Sequence, residues 1–371
     1  MTNPTIMSKP TTRVGYIDAM RGFTMLLVVF SHIYVPNLTP LNQLFMMFRM
    51  PLFFFLSGFI SFRAEQSWTG DKLRHRLKDK CRTLLLPALF FGPLCCWAEE
   101  GIDVEYFFVT ATKSGYWFTV VLFEMLAILY VARYIHARRR RITIEAFAMR
   151  FYVVALVIFL ALSNDLTRNG VANALSIPKL VQYLHFFAFG VLCSCRRERL
   201  YALLDSPRRW LVAAGFVILA VWSILTREYM STAAVGSELL AALLRLLSYS
   251  QPVVAGYLGI VTIFGLFRSM ERYFARPRRF QPLQYVGRHT LEVYVLHYFL
   301  LLGFTPMFRP YIVDDPNIVV QIVVGLTLSA LIAAATLLIG RVLSLDANIH
   351  YYVLGSRGER PQSRLRGLFR R

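Results

Sequence analysis

Acidic residues are scarce in this sequence. Its 371 residues include 21 Asp and Glu against 41 Lys and Arg, which gives a formal net charge of +20 at pH 7. Polar stretches long enough to form a separate soluble domain are missing too, because apolar runs recur along the whole length and 56% of the residues are hydrophobic. This composition excludes a water-soluble globular protein and predicts a polytopic membrane protein.

The sequence also lacks the signals of a disulfide framework, a metal site or a repeat protein. Its five cysteines are odd in number and lie in or at predicted helices. Cys193 and Cys195 form a C-x-C pair with no second ligand pair, so we expect no bound metal. No internal repeat is visible. The first apolar run has no small-residue cleavage site, and we therefore expect it to be retained as a helix.

About ten apolar runs are long enough to cross a bilayer core of about 30 Å. They predict an all-α polytopic membrane protein with about ten transmembrane helices. The predicted spans are 17–36, 41–62, 83–98, 115–136, 147–163, 171–195, 210–226, 239–267, 283–306 and 317–343. The predicted division of the chain is an N-terminal cytoplasmic tail (1–15), a membrane domain (16–345) and a basic cytoplasmic tail (346–371).

The positive charge lies in every second connection between these runs. Basic residues cluster in 63–82, 138–141, 196–209 and 268–279 and in the C-terminal tail, whereas the intervening connections hold few of them. This is the positive-inside pattern, and it predicts that both termini are cytoplasmic. Topology and attraction to lipid headgroups explain most of the basic charge, so we expect no nucleic-acid partner. A minority of these residues could also attract an anionic cytosolic ligand.

Arg21 and His32 share the first apolar run and are separated by ten residues. Ionisable groups are costly in a membrane, so their presence in this run indicates a functional site. Eleven positions at 3.6 residues per turn bring both side chains to nearly the same helix face, about 16 Å apart along the axis. One face is therefore predicted to carry a fixed cation near its inner end and a titratable base near its outer end.

Several other predicted helices place an ionisable side chain at the depth of His32, about 6 to 14 Å below the outer surface. The residues of this layer are His32, Arg49, Glu124, Lys179, Arg245 and His297. Each would cost several kcal/mol if left unpaired in hydrocarbon, so we expect them to face one another or a wet cavity. A structural role remains open, either as ion pairs such as Glu124 with Arg49 or as neutral hydrogen-bonding histidines.

Five segments of the chain resemble the acyltransferase-3 family of integral membrane acyltransferases. In the family's order, between Tyr16 and Leu302, these segments are IDAMRGFTMLLVVFSH, FRMPLFFFLSGF, CRTLLLPALFFGP, GYWFTVVLFEML and YVGRHTLEVYVLHYFLL. The resemblance implies a ten-helix enzyme of the bacterial cytoplasmic membrane that transfers acyl groups other than aminoacyl groups. Its implied co-substrate is cytosolic acyl-coenzyme A, most simply acetyl-coenzyme A. Its implied acceptor is an extracytoplasmic carbohydrate or lipid-linked glycan.

The resemblance also implies roles for individual residues. Arg21 and His32 match the family's paired arginine and histidine, of which the histidine is regarded as catalytic. Arg49 matches a commonly basic position, and Arg82 matches the arginine ahead of the third-helix proline, Pro87. We expect Arg21, Arg82 and Arg49 to bind the donor and His32 to act as general base.

The remaining residues of the layer have open roles at this stage. Glu124 could orient the imidazole of His32 or bind the sugar, and Arg49 or Lys179 could stabilise an oxyanion. Arg245 and His297 are further candidates for contact with the acceptor or the oxyanion. A two-step transfer with the acyl group held on the imidazole is equally compatible with the sequence.

Two other functions remain open from the sequence. Ionisable groups near the middle of a membrane could bind a transported substrate, as in a secondary transporter or a flippase for a sugar-linked substrate. Pro51, Pro87, Pro178 and Pro252 could break helices in such a protein, although no internal symmetry accompanies them. The second alternative is a non-catalytic subunit of polysaccharide assembly.

Overall fold

The computed structural model describes residues 14–34, 39–64, 67–99, 103–139, 141–162, 170–232, 238–275, 281–312 and 317–355. Side chains are described in these ranges except in 227–232, 238–249 and 303–312. Within this part of the chain the secondary structure is helical, with no strand. Below, "inner" and "outer" name the helix ends in the orientation that the basic loops predict.

The long helices are numbered α1 to α10 in chain order. They are α1 (Gly15–Ile33), α2 (Pro40–Ser61), α3 (Gly70–Ala98), α4 (Trp117–Arg139), α5 (Ile144–Leu162), α6 (Ile177–Cys195), α7 (Arg208–Thr232), α8 (Glu238–Ser269), α9 (Thr290–Ile312) and α10 (Ile318–Leu343). In the described part of the chain, nine of these helices contain a stretch long and apolar enough to cross a membrane. The tenth helix is α9, whose described apolar stretch, Thr290–Leu302, is shorter. The prediction of an all-α polytopic membrane protein is confirmed.

Three predicted spans differ from the helices that form. The sixth, predicted at 171–195, is divided at Ser176, which has a φ of 55°, into the short helix Gly170–Ala174 and α6. The third, predicted at 83–98, is part of a longer helix that begins at Gly70, where the Thr69 side chain accepts a hydrogen bond from the Lys72 amide. Lys, Arg and Leu favour helix, so the charged segment Gly70–Lys80 is helical and joins the apolar segment that follows it. The ninth, predicted at 283–306, is divided at His289 into the short helix Pro282–Arg288 and α9.

The short helix packs against α1 through two glycines. A Cβ on Gly22 would overlap the carbonyl oxygen of Leu283, and a Cβ on Gly287 would overlap that of Asp18. The two backbones therefore touch, as small residues permit between membrane helices. This contact fixes the residues that follow Gly287 beside the inner end of α1.

None of the four prolines that could break helices ends one, but Pro87 follows a locally altered turn. Pro51 and Pro252 lie inside the continuous helices α2 and α8, and Pro178 occupies the first turn of α6. Pro87 follows the π-helical turn Cys81–Leu85 within α3. Proline has no amide hydrogen, so it cannot donate a hydrogen bond to the carbonyl oxygen of the fourth residue before it. A π-helical turn is one of the backbone adjustments that accommodate the missing hydrogen bond.

α1 occupies a central position among the described helices. It contacts α2, α8, α9, α10 and the short helix before α9. A second close pair is α2 with α6, where Gly58 lies against the backbone of Phe187 and Gly190 against that of Phe55. These contacts bring the outer end of α1 next to α9 and hold α2 and α6 on one side of it.

Candidate active site

Two histidines from the predicted outer layer meet at the outer end of α1. His32 lies in the last turn of α1, and its Nδ1 is 3.0 Å from Nε2 of His297 on α9. Their rings are stacked, with centroids 5.2 Å apart and an interplanar angle of 22°. His297 is fully buried, whereas part of the His32 surface remains exposed. Of the two rings, His32 is therefore the one with exposed surface.

The hydrogen bonds of His297 determine which nitrogen of each neutral ring carries the proton. Nδ1 of His297 lies 2.7 Å from the carbonyl oxygen of Tyr294 and 3.1 Å from that of Val293. A carbonyl oxygen only accepts, so Nδ1 of His297 is the protonated nitrogen and Nε2 holds a lone pair. His32 must therefore donate from Nδ1, and its own lone pair lies on Nε2.

Tyr298 forms a hydrogen bond with the unprotonated nitrogen of His32. Its hydroxyl oxygen lies 3.2 Å from Nε2 of His32, and with the tautomers above the hydroxyl donates to this nitrogen. Tyr298 was not predicted from the sequence, although it follows His297 directly. Neighbouring helical residues point about 100° apart, and only the placement of α1 between them brings both onto one imidazole.

A strained loop before α4 packs against Tyr298. Lys113 and Ser114 have φ values of 47° and Gly115 one of 89°. A Cβ on Gly115 would overlap the Tyr298 hydroxyl. The hydroxyl of Tyr294 donates to the carbonyl oxygen of Gly115, and that of Tyr116 donates to Val295 on α9 at 2.8 Å. Left-handed non-glycine residues cost about 1 to 3 kcal/mol each and often occur at functional sites.

Arg49 supplies a buried cation beside the histidines. It is 9% exposed, its Nη1 donates to the carbonyl oxygen of Leu27 at 3.3 Å, and its Nε is buried with no hydrogen-bond partner among the described residues. Its charge acts on both His32 and His297. A second positive charge on either ring would be repelled by Arg49, which is consistent with the neutral tautomers.

Glu124 belongs to α4. No ion pair joins it to Arg49 in the described part of the chain, so the pairing considered from the sequence does not form. Its Oε2 is buried without a hydrogen-bond partner. The charge that acts on it comes from Lys113, whose Nζ donates to the carbonyl oxygen of Ala174 at 2.7 Å. Burial lowers the pKa of Lys113, and the Glu124 carboxylate opposes that shift.

Lys179 lies at the outer end of α6 beside an aromatic ring. Its Nζ is 5.5 Å from the centroid of Trp117 and 3.4 Å from Oε1 of Gln182. Trp117 stacks on Tyr183 with centroids 5.4 Å apart, and the charge of Arg49 acts on Tyr183. Arg245, the remaining candidate of the layer, belongs to α8, and its side chain lies outside the described residues.

Arg21 belongs to a separate cluster at the inner end of α1. Its Nη2 donates to Oγ1 of Thr290 at 2.9 Å, and its Nη1 lies 4.0 Å from Oδ1 of Asp18. Arg288 reaches the same carboxylate, with Nε 3.3 Å from Oδ2 of Asp18, and donates to Gln284 at 3.2 Å. Two guanidinium groups therefore share one carboxylate. The side chains of Arg21 and Arg288 remain 31% and 44% exposed.

Arg288 was not predicted from the sequence. It reaches Asp18 because Gly22 and Gly287 allow the short helix to lie against α1. A contact between two glycine backbones has no hydrophobic period, so the sequence pattern gave no signal for it.

Arg82 lies in the π-helical turn of α3 and has partners within the protein. Its Nη1 donates to the carbonyl oxygen of Tyr351 at 2.8 Å, and its Cζ lies 3.9 Å from the centroid of the Tyr351 ring. Its Nη2 pairs with Asp79 at 3.3 Å. Tyr351 belongs to a second π-helical turn, Ile349–Val353. The role of Arg82 in donor binding stays a prediction.

A comparison with known protein families gives one match. The family model of the acyltransferase-3 type, described as an acyltransferase domain, matches residues 14–339. No curated protein and no solved structure matches the chain. Among the described residues, no group of three or more His, Cys, Asp or Glu side chains could hold a metal ion.

Proposed function

The chain belongs to the acyltransferase-3 family of membrane acyltransferases, and from this we propose that it moves an acyl group, most simply acetyl, from cytosolic acyl-coenzyme A to a hydroxyl of an extracytoplasmic carbohydrate or glycolipid. We propose His32 as the general base. The proposed location is the bacterial cytoplasmic membrane. One observation carries the proposal: the hydrogen bonds of His297 hold the proton of His32 on Nδ1, so Nε2 of His32 is unprotonated and has a lone pair.

In the proposed reaction the acceptor hydroxyl replaces the Tyr298 hydroxyl at Nε2 of His32. As the acceptor oxygen attacks the thioester carbonyl carbon, Nε2 takes its proton. The carbon–sulfur bond then breaks, and the coenzyme A thiolate leaves with the proton returned by His32. The products are the O-acyl ester and free coenzyme A. A positioned base of this kind contributes typically about 10²- to 10⁴-fold.

His297 and Arg49 support this step in different ways. His297 touches neither substrate in the proposed reaction. It acts as a positioning residue, because its Nε2 accepts a hydrogen bond from Nδ1–H of His32 and so fixes the tautomer. Such outer hydrogen-bond partners orient the ring and raise its basicity. Arg49 is the nearby cation that would stabilise the oxyanion formed at the thioester carbonyl.

The proposed donor site lies at the inner end of α1. Arg21 and Arg288 both contact the carboxylate of Asp18, and both guanidinium groups remain partly exposed. Guanidinium groups bind phosphates through charge-assisted hydrogen bonds, often in pairs. This arrangement supports the binding of the coenzyme A phosphates at Arg21 and adds Arg288 as a second ligand.

The test is transfer and hydrolysis of radiolabelled acetyl-coenzyme A by the purified protein and its His32→Ala variant. We expect the wild type to release coenzyme A and the variant to lose at least about 10²-fold in rate, because no other lone pair is fixed at this place. His185→Ala is the matched control, since it removes another buried histidine of the outer half that contacts Tyr257 instead.

Both variants are checked for folding by gel filtration and thermal unfolding before the rates are compared. Wild-type activity in folded His32→Ala would reject His32 as the base. A wild-type protein with neither hydrolysis nor transfer would favour the transporter or the non-catalytic assembly subunit.

A further inference from the structure

Lys179 is a cation without an acidic partner among the described residues. It takes part in none of the ion pairs of this part of the chain. Its ammonium group has three N–H donors, and it makes one long hydrogen bond to Gln182 and lies over the Trp117 ring. Gln182 is exposed and Trp117 half-buried, so the outer end of α6 can be reached from the surface.

An aromatic wall connects Lys179 with the histidine pair. Trp117 stacks on Tyr183, and Tyr183 stacks on Phe54 with centroids 5.1 Å apart and an interplanar angle of 28°. Tyr183 lies one helical turn after Lys179 on α6, and the charge of Arg49 acts on it. Phe54 contacts Phe118, Phe118 contacts Tyr294, and Tyr294 contacts the ring of His297. Ring contacts therefore connect the partly buried Lys179 with the histidine pair.

The charges along this wall are positive. Lys179 lies over the Trp117 ring, and the charge of Arg49 acts on Tyr183. Glu124, the carboxylate of the predicted layer, has its electrostatic partner in Lys113. A neutral sugar would leave the Lys179 ammonium unpaired in a partly desolvated place, whereas an acidic group would form a charge-assisted hydrogen bond with it. Aromatic rings beside such a cation offer a flat apolar surface to the ring of a sugar.

We propose that Lys179 binds an acidic group of the carbohydrate acceptor, a carboxylate or a phosphate, while Trp117 contacts the sugar ring. The acceptor is thus an anionic carbohydrate, an inference that rests on the proposed function and names its substrate class. A phosphate of a membrane lipid has the same chemistry, and the test includes an arm that separates this source.

The experiment measures binding to the full-length protein in phosphatidylcholine nanodiscs by isothermal titration calorimetry. The probes are trigalacturonic acid, its neutral counterpart galactotriose, and galactotriose carrying a 6-phosphate. The variants are Lys179→Met, the charge-conserving Lys179→Arg, and Lys78→Met as a control that removes an exposed lysine at the inner side. Each variant is also made in the His32→Ala background, so that binding is measured without turnover.

We expect at least one acidic probe to bind about tenfold or more tightly than galactotriose, because one charge-assisted hydrogen bond is added. Lys179→Met should abolish this preference, and Lys179→Arg and Lys78→Met should keep it. The proposal is overturned if no acidic probe is preferred, or if the preference survives Lys179→Met. Since the readout is binding, it stays separate from the transfer assay that decides on His32.

The lipid arm repeats the measurements in nanodiscs that contain phosphatidylglycerol. Both lipids carry a headgroup phosphate, so if Lys179 pairs with a lipid, Lys179→Met lowers thermal stability in both kinds of nanodisc. Probe binding is then unchanged, and the proposal fails. If it binds the acceptor, the loss of probe binding is the same in both kinds of nanodisc.

Discussion

The two ends of α1 hold their ionisable groups in opposite ways. At the outer end, His32 and His297 are joined by a single chain of hydrogen bonds that ends at the backbone of α9. At the inner end, Arg21 and Arg288 share one carboxylate and remain partly exposed. The first arrangement fixes one lone pair in one direction, as proton transfer requires. The second leaves positive charge facing water, as the binding of a polyanion requires.

The largest effect in this comparison is expected from the outer end, at His297. His297→Leu removes the acceptor for Nδ1 of His32, so either tautomer becomes available and kcat should fall about 10- to 100-fold, the usual loss for such a supporting partner. His297→Gln keeps an oxygen acceptor on a side chain of similar reach and should recover much of the rate. The KM for acetyl-coenzyme A should stay unchanged in both.

Steady-state kinetics with the two variants checks this prediction. Equal losses in His297→Leu and His297→Gln would indicate a packing role for His297 and remove the argument for a fixed tautomer.

The next effect is expected at the inner end, at Arg21. Arg21→Ala should raise the KM for acetyl-coenzyme A about tenfold or more with kcat nearly unchanged, since one charge-assisted hydrogen bond to the donor is lost. Arg272→Ala, an exposed arginine on the same predicted side, is the control. An unchanged KM in Arg21→Ala, or an equal rise in the control, would contradict the separation of roles between the two ends.

Arg82 should affect stability more than donor binding. Its guanidinium group joins α3 to the turn that contains Tyr351, and its side chain is only 14% exposed. Arg82→Ala should therefore lower the free energy of unfolding by about 1 to 3 kcal/mol and raise the donor KM less than Arg21→Ala does. Thermal unfolding and donor titration of both variants provide the comparison, and a larger KM effect for Arg82 would restore it as a main donor ligand.

The smallest effect is expected for Tyr298→Phe. The ring keeps its packing against both histidines, and only the hydroxyl that occupies Nε2 of His32 at rest is lost. We expect kcat to change by less than about threefold, since removing a partner that the acceptor displaces costs little. A loss as large as that of His297→Leu would assign the Tyr298 hydroxyl a part in the transfer itself.

Features encoded within one segment of the sequence could be predicted, whereas contacts between distant segments could not. The helices and the Arg21–His32 spacing were predictable because apolar runs and helical periodicity lie within single segments. The depth layer put His32 and His297 at one level, but their contact and the part played by Tyr298 required the packing of α1 on α9. The place of Arg288 beside Asp18 depends on the contact of Gly22 with the short helix, which no hydrophobic periodicity indicates. The partner of Arg82, Tyr351, lies in the segment predicted as a C-terminal tail.

The contact between Gly22 and Gly287 has a further consequence. Because the two backbones touch, the short helix is placed at one position along α1, with Arg288 beside Asp18 and Arg21 on the same helix as His32. In the proposed reaction, the distance along α1 from Arg21 to His32 would separate the phosphate anchor of the donor from its thioester carbon. A longer acyl chain would then have to be accommodated beyond His32, next to Tyr298 and the loop of Lys113 to Gly115, and chain-length selection is expected to lie there.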